Sequence, residues 1–244
     1  MSFMSQVALQ LLLLLPLIFA PIMTHADTEI LSFNPPAEEL LSKANGLDPI
    51  AMQLALDAYN SATERGLVKK PYLTIIDYSK PSTEKRLWIF DLTQKKMLYE
   101  LHVTHGKNSG QNIASKFSNK MNSLQTSLGT FITENTYQGR NGYSLRLEGL
   151  DRGVNDNAKK RGIVIHGASY ATADYIKKRG RLGLSWGCPA IDKAVNEKVI
   201  TLIKNGSVVF AYHPTNNAIV AAFPMTRVLH KNHRSLSLTS LLYS

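Results

Sequence analysis

The chain has very little cysteine, since Cys188 is the only one among its 244 residues. An intrachain disulfide is therefore excluded, and so is lipid attachment through a thiol near the N-terminus. In an exported protein a lone thiol is buried and inert, bonded to another chain, or kept reactive. The neighbours Gly187 and Pro189 favour a reactive thiol, because they set unusual backbone geometry and glycine lets a substrate or an amide-lined anion pocket approach closely.

Charge is absent from residues 1–26, and residues 7–23 are almost entirely apolar. The small-residue pattern at 24–26 predicts a cleaved signal peptide over 1–26. Two features depart from the usual pattern: no basic residue precedes the apolar run, and Pro16 and Pro21 interrupt it. The alternative is an uncleaved anchor, since about 17 apolar residues is the lower limit for spanning a bilayer. No other run approaches that length, so we expect membrane contact only if this segment stays uncleaved.

Acidic residues are few, because 18 Asp and Glu stand against 28 Lys and Arg and give a net charge of +10. A basic exported protein is drawn to polyanions such as bacterial cell wall, anionic lipid or nucleic acid. The chain has no motif in which basic residues are interleaved with stacking aromatic residues, so we predict no nucleic-acid partner. An ordinary solvated surface with excess lysine is the alternative explanation.

Internal repeats and low-complexity linkers are also absent, so about 218 mature residues suit one sizeable domain, or a domain with an N-terminal accessory element. We predict a helical segment over residues 27–70. Asp48-Pro49 is typical of an N-cap followed by proline at the first helical position, and Gly66 ends the helix. We expect this segment to pack on the main domain and to cover or brace its sheet.

From Tyr72 onward the pattern changes to short apolar or alternating runs separated by polar residues. The predicted strands are Tyr72–Asp77, Arg86–Leu92, Met97–Val103, Gly129–Thr133, Tyr143–Leu147, Gly162–Ile165 and Val208–Tyr212. One further helix is predicted at Lys193–Lys204. This order favours a mainly β fold, a sandwich or partly open barrel with a few helices, over alternating strand and helix units. Residues 214–244 are interpreted as an appended tail.

A histidine follows one of these runs, upstream of the thiol. His166-Gly167 comes directly after the run at 162–165, and Cys188 closes Ser185-Trp186-Gly187-Cys188. A thiol is only fractionally ionised near neutrality and needs a base such as imidazole. The pair therefore predicts a cysteine nucleophile with its base. Ser185 lacks the elbow context of a serine nucleophile.

The order and spacing of His166-Gly167-Ala168, sixteen residues, and then Ser185-Trp186-Gly187-Cys188 resemble the active-site signature of the L,D-transpeptidase (YkuD-like) catalytic domain family. Further similarity, to its murein L,D-transpeptidase catalytic domain branch, is carried by Phe117-Ser118-Asn119, Thr126–Phe131, Tyr137–Gly139, Gly142–Leu147, Asn155-Asp156 and Arg161–His166. The resemblance covers 72–213, and we place the catalytic domain at 71–213. Many members have a second histidine before the Gly-Cys pair and Asn or Arg soon after it. Here those positions hold Trp186, Pro189 and Ala190, and Trp186 is typical of the branch.

The resemblance implies an L,D-transpeptidase-like fold and a reaction on cell-wall tetrapeptide stems. Cys188 would attack the carbonyl of the third residue, a diamino acid, and expel the terminal D-alanine to leave a thioester. His166 would then activate an acceptor amine, whereas water as acceptor would give an L,D-carboxypeptidase. The expected partners are peptidoglycan stem peptides, with an envelope protein as a further candidate acceptor, and the expected location is the periplasm or cell envelope.

The chemistry of such a reaction requires supporting groups. We expect the amides of Gly187 and Cys188 to hold the anionic intermediate. A backbone carbonyl near Gly167, or the Ser185 hydroxyl, is expected to orient the imidazole. The candidate substrate contacts are Tyr143, Arg146, Gly167, Arg181 and Trp186, and an arginine can hold a carboxylate through two hydrogen bonds. Surface solvation or core packing is the alternative for each of them.

The sequence gives less support to a metal site or to another class of cysteine enzyme. His102 and His105 are three residues apart, which places them on opposite faces of a strand, so we predict no metal and no cofactor. A sortase-type enzyme would need an arginine downstream of Cys188, and the nearest one is Arg227 in the tail. Another thiol peptidase remains an enzymatic alternative. The non-enzymatic alternative is a cell-wall-binding module with a degenerate site.

Overall fold

A computed structural model describes residues 35–215 of the chain. The predicted signal peptide at 1–26 lies outside the described residues, as does nearly all of the predicted tail at 214–244. No helix within 35–215 is long and apolar enough to cross a membrane.

Two helices open the described part, α1 (Pro35–Leu41) and α2 (Pro49–Glu64). The predicted start of α2 is confirmed: the Asp48 carboxylate accepts a hydrogen bond from the Ile50 amide at 2.8 Å, which satisfies one of the free N–H groups of the first turn. Gly66 follows the helix with φ +69°. The Tyr212 hydroxyl donates to Asp48 Oδ2 at 3.2 Å, so the helix start is tied directly to the last strand.

Within residues 35–215, eight strands form one sheet in the order β3-β2-β1-β8-β4-β5-β6-β7. They are β1 (Tyr72–Asp77), β2 (Leu87–Asp91), β3 (Lys96–Leu101), β4 (Gly129–Gly139), β5 (Gly142–Gly149), β6 (Val164–Ala168), β7 (Ala190–Asp192) and β8 (Val208–Tyr212). The pairs β1–β8 and β6–β7 are parallel, and the other pairs are antiparallel. Helix α2 packs on β1 and β8. Large apolar side chains such as Trp88 and Phe90 of β2 and Phe210 of β8 are fully buried in the core.

The two ends of the sheet are joined by the chain that follows β3. The Thr104 amide donates to the Ala190 carbonyl at 2.9 Å, and the Ala190 amide donates to Thr104 Oγ1 at 3.1 Å. The Ser185 amide donates to the His105 carbonyl at 3.0 Å. We call this junction of residues 104–107 with 185–190 the seam. It makes the sheet nearly closed, so the expected mainly β, partly open barrel is confirmed.

Two further helices follow β6 and β7 in the described residues. Helix α3 (Ala173–Arg179) begins at Thr172 and ends at Gly180, and α4 (Lys193–Ile203) follows β7 directly. Neither α3 nor β7 was predicted. The helix has no buried residue, so it leaves no apolar stripe in the sequence, and three residues are too few to show strand alternation.

The strand that carries His166 differs from the prediction. It was expected at 162–165, whereas β6 spans Val164–Ala168. Gly162 has φ +68°, a left-handed conformation typical of a turn, so the strand starts after it. As a result His166 lies within the strand and not after its end.

Candidate active site

His166 is fixed by neighbours on both sides of β6. It pairs with Ser144 of β5 and with Ala190 of β7. Since successive strand residues point to opposite faces, Ile165 enters the core and the imidazole lies on the other face. The side chain is nonetheless buried.

The imidazole is oriented by its own backbone. His166 Nδ1 lies 3.1 Å from the Gly167 carbonyl oxygen. A carbonyl only accepts, so Nδ1 carries the proton and Nε2 has a free lone pair. Burial lowers the pKa of His166 below its ordinary value and outweighs the opposing effect of the Gly167 hydrogen bond. The imidazole is therefore neutral at neutral pH and can accept a proton at Nε2.

Cys188 lies on a turn, residues 185–188, that is built by Ser185. The Ser185 hydroxyl donates to the Cys188 carbonyl at 2.6 Å and accepts from the Gly187 amide at 3.1 Å. Of the two expected orienting groups, the Gly167 carbonyl is the one that bonds His166, while the Ser185 hydroxyl is used within the turn. The Gly187 amide, expected to face an anion, donates to Ser185 instead. The Cys188 amide has no acceptor within residues 35–215.

Gly187 is required by the shape of this turn. Its φ is +120°, which side chains on L-residues rarely allow. A Cβ atom at this position would lie 2.7 Å from the Gln125 carbonyl oxygen and 3.0 Å from Ile163 Cδ1. Any other residue would therefore displace the turn.

The thiol is partly exposed and neutral. Cys188 Sγ donates to the Gly162 carbonyl at 3.6 Å. Burial raises the pKa of Cys188, while the backbone of Val164 and the charge of Arg161 lower it to a smaller extent. In the described residues no hydrogen bond joins the thiol to His166. The pairing of His166 with Ala190 places Cys188 beside Val164, two residues before the histidine.

A cavity of about 430 Å³ opens beside His166. Its lining includes two of the predicted substrate contacts, Tyr143 and Gly167, together with Tyr170 and Asn196. The Asn196 amide group donates to the Tyr143 carbonyl at 2.8 Å, and a Cβ atom on Gly167 would lie 3.1 Å from Asn196 Cβ. Close packing of α4 on β6 therefore shapes this cavity.

The other predicted contacts are distributed differently. Trp186 is 67% exposed, with Lys107 Nζ 5.9 Å from its ring centre. Arg146 stacks on the Tyr137 ring at 4.3 Å. Arg181 donates to the Leu182 carbonyl at 2.7 Å. Trp186 thus lies exposed on the turn that carries Cys188, whereas both arginines are engaged with other groups.

His102 and His105 do not form a shared site. His102 Nε2 contacts the Thr83 carbonyl at 3.3 Å. His105 is fully buried and accepts at Nδ1 from Arg86 at 2.8 Å. Burial and the Arg86 charge lower the pKa of His105 to about 4, so it is a neutral residue of the interior.

Arg161 was missed among the site residues. Its guanidinium lies against the turn at Gly187, and its charge acts on Cys188. A single arginine ahead of a strand does not differ in sequence from a solvated one. The signal that could have found it was its place at the start of the run 161–166, which carries part of the family resemblance.

Solved structures of low sequence identity were found. The L,D-transpeptidase from Mycobacterium smegmatis is 13% identical, with 59% of this chain and 59% of that chain covered and a TM-score of 0.37. The L,D-transpeptidase from Stackebrandtia nassauensis is also 13% identical. The match covers 67% of this chain and 66% of that chain, with a TM-score of 0.37. The L,D-transpeptidase from Xylanimonas cellulosilytica is 13% identical as well. The match covers 74% of this chain and 95% of that chain, with a TM-score of 0.34. This chain thus spans 59% of the length of the first of these proteins.

No curated protein sequence matches the chain significantly. The sequence pattern that defines the L,D-transpeptidase catalytic domain matches residues 43–212. The match begins ahead of α2 and ends at the last residue of β8, so it includes the whole sheet. Because it covers more than half of the chain, the protein belongs to the L,D-transpeptidase catalytic domain family.

Proposed function

We propose that the protein is an exported cysteine L,D-transpeptidase that acts on peptidoglycan tetrapeptide stems. The observation that carries the proposal is the placement of Cys188 beside the strand of a neutral, oriented His166. A thiol with a raised pKa needs a base at the moment of attack, because too little thiolate is present beforehand. An imidazole with a free Nε2 supplies that base.

The first half of the reaction forms a thioester. Rotation of the Cys188 side chain away from the Gly162 carbonyl brings the sulfur toward the substrate and the imidazole. His166 Nε2 takes the thiol proton while Sγ attacks the carbonyl of the third stem residue. The C–N bond to D-alanine then breaks, and the imidazolium returns the proton to the departing amine.

The second half transfers the acyl group. Neutral His166 removes a proton from the acceptor amine as its nitrogen attacks the thioester carbonyl. The C–S bond breaks, and the proton passes to the sulfur to restore the thiol. An amine on a second stem gives a crosslink, an amine of an envelope protein gives attachment to that protein, and water gives hydrolysis.

Both steps pass through a tetrahedral oxyanion that needs hydrogen-bond donors. The Cys188 amide is available for this purpose. The Gly187 amide becomes a second donor once the Ser185 hydroxyl releases it. Loss of one such donor typically lowers kcat by about a hundredfold or more.

Substrate contacts are assigned by position around the two reacting groups. Tyr143 and Gly167 line the cavity beside His166, and exposed Trp186 offers an aromatic side chain on the turn that carries Cys188. Arg146 and Arg181 would bind stem carboxylates after leaving their present partners. No cofactor takes part in this scheme.

The proposed organisation places this chemistry outside the cytoplasm. Residues 1–26 would direct export to the periplasm or cell envelope, with membrane contact only if they stay uncleaved. Residues 27–70 would brace the catalytic domain at 71–213, and 214–244 would form an appended tail.

The test is an incubation of the chain, without residues 1–26, with purified tetrapeptide muropeptides, followed by mass spectrometry. The matched control is Cys188→Ala. Dimers that have lost one D-alanine, absent with the control, are the expected product. Tripeptides alone would indicate hydrolysis or a missing acceptor, and unchanged substrate would favour an envelope-protein acceptor or a non-catalytic wall-binding module.

A further inference from the structure

The guanidinium of Arg161 donates all its hydrogen bonds to one segment of the chain, residues 118–127. Nη1 donates to the Ser118 carbonyl and to Ser127 Oγ, and Nη2 donates to Ser123 Oγ and to the Gln125 carbonyl. Four of the five N–H groups of the guanidinium are thus used within residues 118–127. The side chain fixes the shape of that segment.

All four partners are uncharged, and none of the ion pairs within residues 35–215 includes Arg161. A half-buried cation without a carboxylate is costly unless another anion or a dipole compensates it. Burial lowers the pKa of Arg161, and Cys188 is the group that raises it. The four acceptors compensate the guanidinium as dipoles, and the thiolate of Cys188 would add the anion.

The same guanidinium also lies close to Gly187, in the turn of residues 185–188 that carries Cys188. A Cβ atom on Gly187 would lie 3.4 Å from Arg161 Nη2 and 2.7 Å from the Gln125 carbonyl that Nη2 holds. Arg161 and the segment 118–127 thus form the wall against which Gly187 packs. The position of the thiol depends on this wall.

The other titratable groups near the sulfur do not stabilise its anion by charge. The hydroxyls of Tyr78 and Tyr170 are neutral, because burial and the Cys188 charge raise the pKa of each. His166 is neutral as well. In the described part of the chain Arg161 is the cation whose charge acts on Cys188.

We propose that Arg161 is a positioning residue that supplies the counter-charge for the Cys188 thiolate and holds segment 118–127 against the cysteine turn. The inference rests on the proposed function in taking Cys188 as the nucleophile. Its physical content, a cation that favours the ionised sulfur, is independent of any substrate.

The test measures the rate of Cys188 alkylation by iodoacetamide against pH in the full chain. Because Cys188 is the only cysteine, the reaction reports one site. Arg161→Gln should raise the midpoint by about one pH unit, which is the lower range for loss of an adjacent opposite charge, and slow alkylation about tenfold below the midpoint. The matched control is Arg152→Gln, which removes an exposed charge from the same stretch that acts on Asp156, and its midpoint should stay at the wild-type value.

A second pair of variants keeps Arg161 in place. Ser123 lies 3.1 Å from Nη2 and is half-buried, so Ser123→Asp gives the guanidinium a carboxylate partner that competes with the thiolate. Its midpoint should rise, while that of the uncharged Ser123→Asn should not. An unchanged midpoint in Ser123→Asp would contradict the proposal even if Arg161→Gln does not fold, because neither a neutralised guanidinium nor the new negative charge would then act on the sulfur.

An unchanged midpoint in folded Arg161→Gln, or in both Ser123 variants, would overturn the proposal. The result is separable from the muropeptide test because alkylation needs no cell-wall substrate. A raised midpoint in a protein that forms no dimers would keep the role of Arg161 and contradict the transpeptidase proposal. Dimer formation with an unchanged midpoint would support the transpeptidase proposal and contradict the role of Arg161.

Discussion

His166 and Cys188 belong to regions that are held by different kinds of contact. The histidine lies on β6 between two paired strands, and its ring is oriented by the next peptide group. The cysteine lies on a turn whose shape depends on the Ser185 hydroxyl, on Gly187 and on the wall at Arg161. The backbone ladder therefore places the histidine, while side chains place the cysteine. Substitutions away from the reacting atoms should affect the turn far more than the strand.

The largest expected difference in stability is between Gly187→Ala in the turn and Gly167→Ala in the strand, each of which adds one methyl group. Gly187→Ala combines a disfavoured φ with an overlap on backbone at 2.7 Å, and should cost about 4 kcal/mol of unfolding free energy and abolish activity. Gly167→Ala meets its nearest atom, Asn196 Cβ, at 3.1 Å and should cost about 1 kcal/mol. Urea unfolding of both variants measures the contrast, and equal losses would show that the two regions are equally tolerant.

Acid should loosen the turn region through His105, whose carbonyl accepts the Ser185 amide. The pKa of His105 is lowered from 6.5 to about 4 in the folded protein, so the folded state binds fewer protons than the unfolded state. The corresponding stability is present above pH 6.5 and is lost as the pH falls toward 4. The loss is about 3 kcal/mol for a shift of this size.

Urea unfolding between pH 7 and pH 4 checks this dependence, with His105→Gln as the comparison. The variant should lose much less stability over the same interval. The pKa of His166 is also lowered, so both proteins should retain a smaller fall in stability from that residue. Identical pH profiles would contradict the assignment to His105.

A smaller effect is expected from Ser185, which joins two peptide groups of the turn. Ser185→Ala removes the hydrogen bonds to the Cys188 carbonyl and the Gly187 amide and should cost about 1.5 kcal/mol. Dimer formation should slow about tenfold, because misplacement of a reacting group has effects of that order or more. Ser185→Thr keeps the hydroxyl and is the matched control.

A loss of activity in Ser185→Ala could come from the turn or from His166. The pH dependence of the rate distinguishes these two explanations. The acid limb of the pH–rate profile reports His166, and it should keep its midpoint in Ser185→Ala because the Gly167 carbonyl still orients the ring. A shifted midpoint would mean that Ser185 acts on the base as well as on the turn.

The sequence predicted the parts of the fold whose signals are local. The bounds of β1 and β8 agree with the prediction, since both are short apolar runs next to polar residues, and the N-cap at Asp48 was found from its Asp-Pro pair. The pair His166 and Cys188 came from a motif of order and spacing. Strand β7 and helix α3 were missed because neither presents an apolar period.

The interior of the site was not predictable in the same way. Arg161 and Arg86 are arginines of unremarkable context in the sequence, and only the fold shows that one backs the thiol and the other is fully buried beside His105. The bond from the Gly187 amide to the Ser185 hydroxyl was likewise unexpected. Hydrogen bonds of this kind depend on φ and on rotamers, which spacing along the chain does not specify.

The position of β8 between β1 and β4 constrains the order of folding. The pair β1–β8 joins Leu73 to Val208, so neither β1 nor β4 has its full complement of partners until the chain through 212 is complete. Non-local pairings of this kind slow folding, and open strand edges invite aggregation. The seam that carries the cysteine turn also joins distant parts of the chain, at 104–107 and 185–190. The cysteine turn therefore takes its folded position relative to β6 only after residues 185–190 have met 104–107.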